Sequence, residues 1–221
     1  MSIFEALAVF HDIDSRSAPL NMAIDEAIIE TATGPTIRFY RWDHPALSFG
    51  YFGKFEDVAS QRNDRDIVRR WTGGGIVFHG EDLTYSIVIP ASDPAFSESS
   101  MSIYEKTHAA IGAALATNGK KTELAEIASP RISESCFANA VRADVMLNGQ
   151  KIAGAAQRRT RRGLLQQGSV QNVDLPADFE KSLARQLSSR CEVKSLNGDI
   201  LERAREIADQ KYGTAGWLRR R

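Results

Sequence analysis

Three consecutive glycines lie between cationic and aromatic side chains in the segment RRWTGGGIVFH, residues 69 to 79. Because glycine has no side chain, a ligand can come close to the backbone there. Arg69 and Arg70 before the glycines and His79 after them bring hydrogen-bond donors to that backbone, as an anionic or thioester-bearing ligand would require. The same glycines would also suit a tight hairpin turn. Neither the P-loop nor the dinucleotide-binding motif fits this segment, because the Lys-Ser/Thr ending and the glycine spacing are absent.

A second candidate for chemistry is Lys151, which follows the dipeptide Asn148-Gly149. This dipeptide favours a type I′ turn, so Lys151 begins the return strand of a predicted hairpin. The small residues Ala153 and Gly154 follow it, and its ammonium is placed to stabilise negative charge on an acyl carbonyl or a phosphate. The alternative is an exposed hairpin lysine, since most lysines lie on the surface.

Hydrophobic periodicity predicts the elements that position these residues. The segments that resemble strands before residue 91 are expected to belong to one sheet, and residues 126 to 142, which include Cys136, are expected to lack regular structure. The order of strands and helices is mixed, which favours an α+β domain with a mixed sheet flanked by helices. Strands are predicted in ALAVFHDI, TIRFYRWD, ALSFG, DIVRR, GIVFHG, LTYSIVIP and GLLQQGSVQNV, and helices in SAPLNMAIDEAIIETAT, in SIYEKTHAAIGAALATNG and near 176–188 and 197–211.

Composition narrows the class of protein. A chain of 221 residues suits one domain, 1–221, and no apolar run approaches the ~20 residues that span a bilayer. The 28 basic and 28 acidic residues cancel, which gives no general reason to bind nucleic acid or a membrane. No secretion signal precedes the first strand, so a cytoplasmic location is expected. The two cysteines, Cys136 and Cys191, are too few for a disulfide framework, and no residues have zinc-ligand spacing.

Five sequence blocks together resemble the lipoate-protein ligase A and octanoyltransferase family, which shares a catalytic architecture with biotin-protein ligases. The blocks run through nearly the whole chain: NMAIDEAI, RFYRWDHPALSFGYF, RRWTGGGIVFHGEDLTYS, KIAGAAQRRTRRGLLQQGSV and KYGTAGW. The glycine-arginine and Lys-Ile-Ala-Gly blocks are the most specific, and the glycine-arginine repeat of biotin ligases is absent. The resemblance implies a class II biotin/lipoyl protein ligase-like catalytic domain with a largely antiparallel sheet.

The resemblance also implies a site and a reaction. In the family, the glycine loop lines a tunnel for a medium-length acyl chain, which is attached to a lysine of a lipoyl-domain protein. Lys151 is then a catalytic residue. The substrate-binding residues would be Arg70, Thr72, Gly73, Gly74, Gly75, His79, Gly154 and Ala155.

Two routes divide the family. In the transferase route, octanoyl-acyl carrier protein donates a thioester, a cysteine forms an acyl-enzyme, and no cofactor is needed. The segment SESCFANAVRADV resembles the nucleophile segment of one octanoyltransferase branch, so Cys136 is the candidate nucleophile, with its thiol pKa lowered by Lys151. Burial beside Phe137 is the alternative for Cys136, and Cys191 lies outside every block and is interpreted as structural.

In the ligase route, free lipoate or octanoate reacts with ATP and Mg²⁺ to form an acyl-adenylate. Arg70, Asp144 and Lys151 would then bind the nucleotide, although Ala143 replaces the polar residue that often precedes the aspartate in ligases. The chain stops after KYGTAGW, where large ligases continue into an accessory domain, so the transferase is favoured, with a two-part ligase as the alternative. A non-catalytic acyl-binding or scaffold protein is the third possibility. The acceptor, the preference for octanoyl or lipoyl, and the oligomeric state are left open.

Overall fold

The computed structural model describes residues 2–126 and 139–220. Its main sheet has eight strands in the order β11-β1-β2-β6-β10-β9-β8-β7. β1 pairs in parallel with β2 and β11, and the other neighbours are antiparallel. The strands are β1 Leu7–His11, β2 Thr36–Tyr40, β6 Leu83–Pro90, β7 Glu123–Leu124, β8 Val145–Leu147, β9 Gln150–Arg159, β10 Gly163–Val170 and β11 Cys191–Lys194. The predicted α+β class with a largely antiparallel sheet is confirmed.

Helices cover both faces of this sheet. They are α1 Ala18–Thr31, α2 Ser100–Ala116, α3 Phe179–Leu187, α4 Gly198–Ile207, which continues as a π-helical turn over Ala208–Tyr212, and α5 Ala215–Leu218. On β6, Tyr85, Ile87 and Ile89 pack into the core with α2 and α3, whereas Val88 packs into the core with α1 and α4. Successive side chains of a strand point to opposite faces of the sheet. β6 therefore contributes residues to the cores on both faces.

Local sequence chemistry explains where several elements begin or turn. Pro19 lies in the first turn of α1, where its missing N–H leaves no hydrogen bond unmade. The Ser99 side chain caps α2 by accepting from the Ser102 backbone N–H at 3.0 Å. Asn148 and Gly149 have φ angles of 51° and 78°, so the predicted hairpin turn between β8 and β9 is confirmed.

A second, three-stranded sheet was not predicted. It has the order β4-β3-β5, with β3 Ala46–Phe49, β4 Asp66–Arg69 and β5 Val77–His79. The expectation of one sheet was therefore wrong. β4 and β5 both pair with β3 rather than with each other, so the glycine triplet between them is not a hairpin turn. Strand periodicity identifies strands but not their partners, which is why the sequence did not separate the two sheets.

Two short strands and a short helix, β7, β11 and α5, were also missed, because each is too short to show a period. The 3-10 helices Phe55–Asp57, Ala59–Asn63 and Pro94–Ser97 were missed for the same reason. No helix in the described ranges is long and apolar enough to cross a bilayer.

Arg69, at the end of β4, ties the second sheet to the segment around α5. Only 1% of this residue is exposed. Its guanidinium donates to the backbone carbonyls of Tyr51, Gly53, Leu218 and Arg220 at 2.7–3.0 Å. One buried cation therefore joins backbone carbonyls from two separate segments.

We expect Arg69→Met to lower the free energy of unfolding by about 3 kcal/mol, because four backbone carbonyls lose a charged donor. Urea denaturation would measure the loss, and hydrogen exchange would show faster exchange at residues 215–220. The neighbouring exposed Arg219 supplies the control, since Arg219→Met removes a similar side chain without these contacts. Equal midpoints for the two variants would contradict the role given to Arg69.

Candidate active site

An elongated slot lies between the main sheet and the second sheet. It contains about 430 Å³ of space, part of it open to solvent. Its apolar lining includes Met22, Trp42, Val77, Ala155 and Ala156. A slot with mostly apolar walls and a few polar groups is typical of a small-molecule site.

The register of the main sheet explains how the slot is made. Gly154, Ser169, Thr84 and Tyr40 form one row across β9, β10, β6 and β2, and all four line the slot. Three strand spacings of ~4.8 Å make this row about 14 Å long. Because three of the four residues are small, the row leaves room above the sheet for a long, narrow ligand.

The glycine loop lies on the opposite side of the slot and is held by Arg70. The Arg70 guanidinium donates to the carbonyls of Gly73 and Gly75 at 3.0 and 2.8 Å. Gly74, which lines the slot, has a φ of +84°, and a Cβ there would lie 3.2 Å from the Ala156 methyl group. The arginine predicted to hold an anion or a carbonyl thus binds carbonyls of its own loop.

Gly50, at the end of β3, permits this loop to pack closely. A Cβ at Gly50 would lie 2.1 Å from the Gly74 carbonyl oxygen and 2.7 Å from the Gly73 carbonyl carbon. A Cβ at Gly73 would meet nothing within 4 Å. The close backbone approach that the glycines suggested is therefore made partly by the protein's own β3, in addition to the slot.

A hydrogen-bonded network, here called the His79 network, supports Arg70 from behind. His79 Nδ1 is 2.9 Å from Asp82 Oδ2, His79 Nε2 is 2.7 Å from Ser48 Oγ, and Arg70 donates to Ser48 Oγ at 2.7 Å. Because an ionised Asp82 only accepts, His79 carries its proton on Nδ1, and the Ser48 hydroxyl donates to Nε2. Each hydrogen bond of the His79 network can therefore run in only one direction, from donor to acceptor. Together these bonds fix the Arg70 guanidinium in place.

Electrostatics keep the His79 network in this state. Burial alone would raise the pKa of Asp82, but hydrogen bonds from His79, Ser169 and Thr84 outweigh it and lower the pKa to about 2. Burial lowers the pKa of His79, an effect partly offset by Asp82. His79 is therefore neutral at pH 7, and it stacks on Trp42 with 4.1 Å between ring centroids.

Lys151 lies beside the slot with a buried ion pair. Its Nζ is 2.8 Å from Asp144 Oδ2, and the two side chains are 2% and 0% exposed. A Cβ at Gly154 would lie 2.7 Å from Lys151 Nζ, so the ammonium lies against a slot-lining residue. Tyr104 donates to Asp144 Oδ1 at 2.5 Å and accepts from the Ala155 backbone N–H at 3.2 Å. These contacts join the ammonium to the slot wall.

The turn that carries Asp144 is strained. Asp144 N–H donates to the Val141 carbonyl at 3.0 Å, and Ala143 between them has a φ of 66°. This conformation costs a non-glycine residue about 1–2 kcal/mol. His108 compensates, because its Nδ1 donates to the Ala143 carbonyl at 2.6 Å. Ala143 and His108 thus determine where Asp144, and with it Lys151, is placed.

The predicted site residues divide into three groups. Arg70, Gly74, His79, Gly154 and Ala155 line the slot. The Thr72 hydroxyl donates to the Gln167 side-chain oxygen at 2.8 Å. Gly73 and Gly75 belong to the loop that Arg70 holds. Lys151 and Asp144 form the ion pair beside the slot, and Cys136 lies outside the described residues. Cys191 is exposed on β11, and its thiol donates to the Ala184 and Ser188 carbonyls at 3.3 and 3.2 Å.

Sequence analysis missed several polar residues of the site. Ser48, Thr84 and Ser169 line the slot, and Tyr104 and His108 lie behind Asp144. The signal for Thr84 was present, because LTYSIVIP places small polar residues at alternate positions of a strand that is otherwise apolar. Tyr104 and His108 gave no signal, since their four-residue spacing on α2 is equally typical of a core face.

No metal site accompanies the slot within the described ranges. The group there with suitable ligand atoms is Asp43, His44 and Asp66, whose oxygens and nitrogen lie within 4.8 Å of one another. All three residues are exposed, and none lines the slot.

A mixed sheet with a narrow apolar slot and a buried lysine beside it suits an enzyme that handles a medium-length acyl chain. Comparison with known proteins agrees. The model of the lipoyl protein ligase A/B catalytic domain matches residues 17–210. An octanoyltransferase LipM from Geobacillus kaustophilus is 34% identical over 218 residues, covering 90% of this chain and 77% of the relative. A second LipM, from Oceanobacillus iheyensis, is 36% identical over 187 residues, covering 79% and 68%. The chain belongs to the lipoyl protein ligase A/B catalytic domain family.

Solved structures support the fold. A putative lipoate protein ligase from T. acidophilum superposes with a TM-score of 0.76 at 23% identity, covering 99% of both chains. A lipoate-protein ligase A bound with ATP gives a TM-score of 0.74 at 23% identity, covering 99% of this chain and 98% of the other. The predicted family and fold are therefore confirmed.

The two glycine environments give a matched test of loop packing. We expect Gly50→Ala to destabilise the protein by about 1–3 kcal/mol, because the new methyl group would overlap the Gly73 and Gly74 backbone. Gly73→Ala should cost much less, since space is open there. Chemical denaturation of both variants measures the difference. A Gly73→Ala loss as large as that of Gly50→Ala would show that the packing described here is incorrect.

Burial of His108 predicts a pH dependence of stability. Desolvation lowers its pKa from 6.5 to about 4, so between these values the unfolded chain binds a proton that the folded chain does not. Stability should fall by about 1.4 kcal/mol per unit as pH drops through this range. In urea unfolding between pH 7 and 5, His108→Gln should show a shallower slope than the wild type. His44→Gln, at an exposed position, should leave the slope unchanged. Identical slopes for all three proteins would refute this account.

Proposed function

We propose that the protein transfers an octanoyl group from octanoyl-acyl carrier protein to a lysine of a lipoyl-domain protein, through a thioester on Cys136. The observation that carries the proposal is the buried Lys151 ammonium against the wall of an apolar slot. Relatives named octanoyltransferase LipM, at 34% and 36% identity, support the transferase. The assignment of residues 1–221 to one catalytic domain and the cytoplasmic location stay predictions.

The proposed reaction has two acyl transfers. The Cys136 thiolate attacks the carbonyl carbon of the donor thioester, and a bond forms between that carbon and the Cys136 sulfur. The bond from the carbon to the donor sulfur breaks, and the donor leaves as a thiolate that takes up the proton lost by the Cys136 thiol. The neutral amine of the acceptor lysine then attacks the enzyme thioester. An amide forms, the bond to the Cys136 sulfur breaks, and the amine proton leaves with the thiolate. Both steps put negative charge on sulfur or on the carbonyl oxygen.

Lys151 is the group proposed to stabilise that charge. A fixed ammonium in a dry site stabilises a developing oxyanion and favours a thiolate nearby. Asp144 pairs with the ammonium at 2.8 Å, and Tyr104 holds Asp144 with a hydrogen bond of 2.5 Å, so little reorganisation is needed as charge develops. The acyl chain would lie over the row that runs from Gly154 to Thr84, beneath the loop held by Arg70.

The ATP-dependent ligase is the second candidate. This protein shares its fold with the ATP-bound lipoate-protein ligase A. In the ligase route, Asp144 would contact the nucleotide or Mg²⁺. In this structure, Asp144 is fully buried and accepts from Tyr104, Lys151 and the Val141 backbone N–H. A carboxylate with three donors is a poor metal ligand, which favours the transferase, for which no cofactor is proposed.

A mass assay on an apo lipoyl domain tests the proposal. We expect octanoylation with octanoyl-acyl carrier protein and none with octanoate, ATP and Mg²⁺. Cys136→Ser should abolish transfer, whereas Cys191→Ser, the matched control at an exposed cysteine, should leave it intact. Lys151→Met should slow transfer by about 100-fold or more, because a charge-stabilising donor is lost.

Each other outcome has a distinct meaning. Transfer that survives Cys136→Ser would rule out the acyl-enzyme, and modification that requires ATP would establish the ligase. No product from either donor would favour a non-catalytic acyl-binding protein. Thermal unfolding of each variant, measured in parallel, separates lost chemistry from lost folding.

A further inference from the structure

A partly exposed cluster of aromatic and cationic side chains lies on the protein surface. We call it the arginine–aromatic surface and define it as Tyr51, Phe52, Arg158, Trp217 and Arg220. Phe52 is 86% exposed, which is unusual for so large an apolar side chain. Its ring meets Tyr51 edge to face with 5.0 Å between centroids. The Arg158 and Arg220 guanidiniums lie 4.8 and 4.7 Å from the centre of the Tyr51 ring.

This surface borders the slot. Phe52 is two residues beyond Gly50, which packs against the glycine loop. Arg158 is two residues beyond Ala156, which lines the slot, and lies on the same face of β9. Two residues along a strand span about 7 Å, so a protein bound to this surface also covers the rim of the slot.

The arginine–aromatic surface carries positive charge from Arg158 and Arg220. No described carboxylate lies within salt-bridge distance of Arg158, Arg219 or Arg220, whereas nearby Lys211 pairs with Glu26 at 2.6 Å. The chain as a whole has 28 basic and 28 acidic residues, so this positive charge is a local feature. Arginines and aromatic rings around an exposed anchor are the composition of interface hot spots, and the positive charge fits an acidic partner.

We propose that the arginine–aromatic surface docks the acceptor protein, with acidic groups around the acceptor lysine facing Arg158 and Arg220 and an apolar contact over Phe52. This inference rests on the proposed function. A lysine reaches the slot on a stem of only four carbons, so the body of the acceptor must lie against the slot rim. That requirement favours the acceptor over the acyl donor as the occupant.

The test separates the two half-reactions. We expect Phe52→Ala and Arg220→Glu each to raise the KM for the apo lipoyl domain about 10-fold, with kcat nearly unchanged. Formation of the acyl-enzyme from octanoyl-acyl carrier protein should keep its wild-type rate. The Arg220→Glu variant should also show a weaker dependence of kcat/KM on salt, because a charge pair with the acceptor is lost.

Two substitutions outside the surface provide controls. Val193→Ala removes another exposed apolar side chain, and Lys121→Glu reverses another exposed charge, so neither should change the KM. Wild-type KM values for Phe52→Ala and Arg220→Glu would overturn the docking proposal while leaving the acyl transfer intact. Slower loading of the enzyme in place of a raised KM would overturn it in favour of the donor. A wild-type enzyme that acylates no acceptor would instead mean that the proposed function is wrong.

Discussion

The slot depends on one buried cation, Arg70, that binds the backbone of the glycine loop. Its guanidinium reaches Ser48 on one side and the carbonyls of Gly73 and Gly75 on the other. A loop of three glycines has high conformational entropy when unfolded. Favourable contacts must therefore offset the entropy that is lost when the loop takes its open shape. The charged donor provides it, and the neutral His79 keeps the arginine oriented. The apolar space beneath the loop exists because these polar contacts are satisfied behind it.

A second constraint holds Lys151 beside the slot. The Lys151 ammonium is buried, which is costly unless its charge is paired and hydrogen-bonded. Asp144 supplies the pairing, and Tyr104 and His108 fix the strained turn that carries Asp144. Removing one member would leave a buried charge without compensation, so the set acts as a unit. The slot and the ion pair meet at Gly154, where any side chain would displace the lysine.

Much of this arrangement could be predicted from sequence, because its motifs are local. The type I′ turn that starts β9, the amphipathic period of the helices and the glycine segment all depend on neighbouring residues. Strand partners depend on distant residues, so the second sheet was missed. The same holds for Ser48, which acts only because the fold brings it between Arg70 and His79. The roles of Gly50 and Tyr104 likewise follow from packing across the fold, and no spacing along the chain encodes them.

The contacts of Arg69 have a consequence for biosynthesis. This residue lies on β4, yet its carbonyl partners include Leu218 and Arg220, about 150 positions later in the chain. β1 likewise pairs with β11, which is made long after it. Such pairings are slow to form because they close large loops. A nascent chain on the ribosome would therefore hold its glycine segment on an unanchored strand until nearly all described residues have emerged. Acyl binding is then a property acquired late in synthesis.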